Sequence, residues 1–111
     1  MQILNEGIEL LYTRECHNWQ QTLQNLKQAL EMEKVKEQPK IIIMDTMEQV
    51  YAYNFFGSPT IHINGQDVDP RVRRTGKRGL GTDRPYFYQR RSWAFPSVEM
   101  IRKAIKELYY L

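Results

Sequence analysis

Gly57-Ser58-Pro59-Thr60-Ile61-His62-Ile63-Asn64-Gly65 carries a turn, a strand and a hairpin in nine residues. An X-Pro bond in a Gly-Ser turn leads directly into Thr-Ile-His-Ile, a β-branched run of strand length. Asn64-Gly65 ends the run with the strongest short hairpin signal, a type I′ turn that needs positive φ at both central residues. Gln66-Asp67-Val68 then returns as an antiparallel strand. Alternation puts His62 on the opposite face from Ile61 and Ile63, as a structural or exposed histidine.

Upstream, Ile8-Glu9-Leu10-Leu11-Tyr12 reads as a buried strand. From His17 to about Glu33 the period changes: Trp19, Leu23, Leu26 and Leu30 fall on one face of a helix. Ile41-Ile42-Ile43-Met44 reads as a strand buried on both faces. Asp45 or Thr46 caps a short helix reaching about Asn54, with Gln49 completing a capping box from Thr46. Downstream, Pro96-Ser97 opens a helix striped by Val98, Ile101, Ile105 and Leu108, with Ser97 as N-cap. The order is βαβαββ-insertion-α, an α/β fold. Its two βαβ crossovers imply parallel neighbours and its hairpin an antiparallel one, so a mixed four-stranded sheet with helices on both faces is expected.

Between residues 69 and 95 no period is clear. Gly76, Gly79 and Gly81 lie in the first half, and Tyr86, Phe87, Tyr88, Trp93 and Phe95 in the second. A loop this long is functional, disordered or hides a small element, and Tyr86-Phe87-Tyr88 reads as an added edge strand. Charge is concentrated here. From Arg71 to Arg91 there are eight basic residues against Asp83, while the rest of the chain holds eight basic and twelve acidic residues. Arg71, Arg73, Arg74, Lys77, Arg78, Arg84, Arg90 and Arg91 are therefore the candidate contacts for an anionic partner.

The 111 residues fit one domain, and 41% apolar with 26% charged residues is a globular composition. No apolar run nears the ~20 residues of a membrane-spanning helix, and Met1 to Glu6 has no secretory character. The single cysteine, Cys16, cannot form an internal disulfide and fits a reducing cytoplasm. Cys16, His17 and His62 lack ligand spacing for a metal site.

Cys16 lies where the first strand gives way to the first helix. A thiol at a helix N-terminus is favoured as the nucleophilic thiolate by the macrodipole and unpaired backbone N–H groups, here with help from Arg14 and a protonated His17. The opposite reading is a small buried hydrophobe.

This order of elements, with Cys16 after the first strand and Ser58-Pro59-Thr60 before the third, resembles the thioredoxin superfamily. Gly57 to Gly65 is similar to the cis-proline strand and hairpin of glutaredoxin-like members and of small bacterial thioredoxin-like proteins. The resemblance covers residues 7–68 and 96–110. It implies a monothiol thiol–disulfide oxidoreductase or redox sensor in which Cys16 attacks, His17 assists, and Ser58 and Pro59 present backbone to an extended partner segment. Trp19 stands where the second cysteine of Cys-x-x-Cys would be, so mixed disulfides would be long-lived. No cofactor is expected. Glutathione is the one low-molecular-weight thiol that the resemblance implies, and Asp69-Pro70 stands where glutaredoxins carry their Gly-Gly-Asp clamp.

A second expectation is a non-catalytic interaction module that uses residues 71–91 and their aromatics against an acidic protein surface. A third, less favoured, is association with nucleic acid through the same segment, which has no motif of fixed spacing.

Overall fold

Alternating placement of Ile8, Leu10 and Tyr12 against Glu9 and Leu11 makes the central strand, β1 (Ile8–Tyr12). The computed structural model describes residues 6–110, apart from the Thr75 side chain. The reading of the extreme N-terminus falls on residues 1–5, outside the described residues. β1 is followed by α1 (Trp19–Met32), β2 (Lys40–Ile43), α2 (Met47–Tyr53), β3 (Thr60–Ile63) and β4 (Gln66–Asp67). Next come α3 (Pro70–Thr75), a hairpin of β5 (Tyr86–Tyr88) and β6 (Arg91–Trp93), and α4 (Val98–Leu108).

The main sheet is mixed and four-stranded, in the order β2-β1-β3-β4. β1 runs parallel to β2 and antiparallel to β3, and β3 antiparallel to β4. One expected parallel neighbour is therefore corrected. After α2 the turn at residues 55–59 reverses the chain, and β3 enters on the far side of β1 in the opposite direction.

Ile8, Leu10, Ile61 and Ile63 face α1 and α4 and form the larger core with Leu26, Ile101 and Ile105. Leu11 faces the other way and packs with Met44, Val50 and Phe55 under α2. Both helix stripes read from the sequence face the sheet. Ser97 caps α4 by accepting from the Met100 N–H at 3.0 Å, and Thr46 with Gln49 forms the capping box of α2. The Asn64-Gly65 turn has φ of 51° and 80°, the left-handed pair that joins β3 to β4.

Three expectations differ. β2 is not buried on both faces: it is an edge strand, so Lys40 and Ile41 are exposed and Ile42 and Ile43 only half-covered. α1 begins at Trp19, with Asn18 as N-cap, rather than near His17. Within 69–95, which does hide small elements, Tyr86–Tyr88 is not an added edge strand of the main sheet. Asp69 caps α3 through the Arg71 N–H at 3.0 Å with Pro70 as its first residue, and Tyr86–Tyr88 pairs with Arg91–Trp93 in a separate hairpin, not along the main sheet.

Candidate functional site

The thiol lies in a turn, outside any helix. The Cys16 N–H donates to the Thr13 carbonyl at 3.0 Å, and Cys16 is 3% exposed. α1 starts beyond Asn18, so Cys16 stands two residues ahead of its N-cap. Arg14 meets Asp45 through two hydrogen bonds, at 2.9 and 3.1 Å. His17 is exposed. Trp19, in the place of a second cysteine, stacks on Tyr12 with ring centroids 4.6 Å apart.

Ser58 is fully buried beside this turn, and its Oγ accepts from the Thr13 N–H at 3.0 Å. The Ser58–Pro59 peptide bond is cis. The Ser58 backbone is not open to a partner. Its N–H donates to the Gly81 carbonyl at 2.8 Å, and its carbonyl accepts from the Arg84 N–H at 3.1 Å. The Tyr86 hydroxyl donates to the Pro59 carbonyl. The insertion thus lies along the edge expected to receive an extended partner.

The face of the sheet opposite the larger core carries a polar row, buried except at Lys40, that sequence reasoning missed. Lys40, Glu9, His62 and Asp67 are successive cross-strand partners over β2, β1, β3 and β4, so their side chains share one face. Glu9, His62 and Asp67 are each at most 2% exposed. Arg84 completes the row, donating to both Asp67 carboxylate oxygens at 2.7 and 2.8 Å and to the Thr60 hydroxyl at 2.9 Å. Its guanidinium lies 4.4 Å from the Tyr86 ring centroid. His62 Nε2 is 4.0 Å from Asp67, and neither ring nitrogen has a hydrogen bond among the described residues. Burial pushes the His62 pKa down to about 4, with Asp67 opposing and Arg84 reinforcing. Burial raises the Glu9 pKa, with Lys40 opposing. Period-two counting from Ile61 finds the face of this row, but only the chain return at residues 81–86 supplies Arg84.

The basic residues divide accordingly. Arg84 is a buried structural cation, and Arg73 is mostly covered, donating to the Asp67 carbonyl and to Glu107 at 2.6 Å. Those two expected anion contacts are corrected, because each already meets a carboxylate of this chain. Arg71, Arg74, Lys77, Arg78, Arg90 and Arg91 are exposed. Three of them lie against aromatic rings: Arg71 4.9 Å from Phe87, Arg91 3.8 Å from Trp93, and Arg78 about equally close to Tyr51 and Phe56. A cleft of about 440 Å³ lies between α3 and β5, with Phe56, Arg71, Val72, Pro85 and Phe87 in its walls.

Among the described residues, no three His, Cys, Asp or Glu side chains are grouped to hold a metal ion. Among them also, no helix is long and apolar enough to cross a membrane. No protein-family model, curated protein or solved structure matches the chain.

Proposed function

We propose that the chain is a thioredoxin-like domain acting as a non-catalytic protein-interaction module through the exposed cations and aromatics of residues 71–91. The fold reading is supported by the strand order β2-β1-β3-β4 and by the Thr13–Ser58 bond, which sets the cysteine turn beside the turn entering β3. One observation carries the functional reading: residues 81–84 occupy both backbone groups of Ser58. A partner chain would have to displace a segment anchored by the buried Arg84. The exposed side of the same insertion keeps six cations at the surface.

Alkylation tests this. Iodoacetamide, applied from about pH 6 to about pH 9, should modify Cys16 at least ~100-fold more slowly in the folded chain than in urea, because a buried thiol reacts only through opening. Rapid modification at neutral pH, with an apparent pKa well below ~8.5, would overturn the reading.

The monothiol oxidoreductase or redox sensor stays the second reading, with Cys16 as nucleophile and a protein or low-molecular-weight thiol such as glutathione as its partner. Its support is the contact of both turns with Thr13.

A further inference from the structure

We infer that Arg78 anchors this surface, and that it grips a carboxylate in an acidic segment of a partner protein. The inference rests on the interaction-module reading above. Arg78 follows α3 and reaches back over α2. Its Nε donates to Asn54 Oδ1 at 2.6 Å, and its guanidinium carbon lies 5.9 Å from the Tyr51 ring centroid and 6.0 Å from that of Phe56. Asn54 is itself fixed: it ends α2 in the left-handed region with φ of 57°, its N–H bonded to the Val50 carbonyl.

An exposed arginine ordinarily loses much rotamer freedom when it engages a partner. Here two rings and an amide hold the side chain beforehand, so less freedom remains to be lost. Asn54 takes only Nε. Among the described residues, neither terminal nitrogen of Arg78 has a hydrogen-bond or ion-pair partner. Those two nitrogens form the fork that receives both oxygens of a carboxylate. Asn54 is also uncharged, so the positive charge is held in place without being neutralised. Arg14, Arg73, Arg84 and Arg102, by contrast, each meet a carboxylate.

The surroundings point to a protein rather than a nucleic-acid strand. Met47 and Tyr51 lie one turn apart on α2 and are 46% and 65% exposed, an apolar strip beside the cation. Arg78 lies over both Tyr51 and Phe56, the rings on which a base would need to stack. The fitting partner is a segment with Asp or Glu flanking an apolar side chain.

The probe is a synthetic peptide of about twelve residues, rich in Asp and Glu around one Leu and one Phe, titrated into the full chain and followed by NMR. An oligothymidylate of similar length is the comparison. The peptide should shift the Arg78 Nε–H, the Met47 methyl and the Tyr51 ring signals. Arg78→Glu should weaken it about tenfold or more, and Arg78→Lys, which keeps the charge but not the fork, about fivefold. The Arg90→Glu/Arg91→Glu pair, elsewhere on the same basic surface, should weaken it less than Arg78→Glu does. If the hairpin pair abolishes binding while Arg78 variants bind normally, the Arg78 inference falls and the interaction reading stands. If no variant or parent binds the peptide, both fall. Oligothymidylate binding that outcompetes the peptide and depends on Arg78 would reassign the surface to nucleic acid and overturn the inference.

Discussion

His62 is a histidine with no accommodation for a proton. Its ring is 1% exposed, and the charges nearest it, Asp67 and Arg84, are already engaged with each other. Glu9 faces it across β1, and Burial raises that carboxyl group's pKa. Above its ordinary value of 6.5, His62 is neutral in both folded and unfolded chains. As pH falls from 6.5 toward 4, the unfolded chain takes up the proton and the folded one does not, so stability is lost across that window. The full shift corresponds to about 3 kcal/mol. Glu9 acts in the other direction, its contribution being lost as pH rises through its raised pKa. Urea unfolding at about pH 7 and about pH 4 should show most of the acid loss in the parent and little in His62→Phe. An equal loss in both would assign the acid sensitivity to the carboxylates.

At the scale of elements, the β5–β6 hairpin is the least legible part of the fold. Its turn residues, Gln89 and Arg90, have φ of 53° and 64°, yet neither is a residue that favours the left-handed region. The tertiary contacts hold it instead: Trp93 Nε1 donates to the Tyr88 carbonyl at 3.0 Å, the two rings stack at 4.9 Å, and Arg91 covers the outer face. Gln89→Asn with Arg90→Gly should therefore stabilise the chain by about 1 kcal/mol, measured as a rise in Tm. A lower Tm would mean that the native side chains contribute contacts exceeding the backbone cost. α3 was legible in principle, since Asp69-Pro70 is an N-cap followed by a proline at the first helical position. No apolar period accompanies it, because a helix of six residues lying on β4 shows too few turns. α1 starts two residues later than the sequence suggests for a related reason: the apolar stripe begins at Trp19, while Cys16 and His17 carry no period at all.

For the molecule as a whole, the insertion is part of the core. Arg84 ties residues 81–86 to β3 and β4, and Tyr86 is fully buried beneath them. Arg84→Ala would leave the Asp67 carboxylate buried without its cation, and should cost about 3–5 kcal/mol in urea or thermal unfolding. Adding Asp67→Ala should cost less than the sum of the single changes, since no charge is then stranded. A cost under about 1 kcal/mol for Arg84→Ala would mean that the strap is dispensable.

Local features are readable in the sequence alone: the four strands of the main sheet, the two long helices, the Asn64-Gly65 turn and the caps at Thr46 and Ser97. Each of these depends on periodicity or on hydrogen bonds within a few residues. Only the tertiary structure decided which strand lies at the edge, which way β3 runs, and whether Cys16 and Ser58 are open. The same holds for the eight basic residues, which looked alike in sequence. Arg84 and Arg73 found carboxylate and carbonyl partners and became structural, while Arg78 found a neutral amide and two rings and meets no carboxylate among the described residues. A side chain's environment is set by residues far along the chain, and charge alone does not encode which of them it will meet.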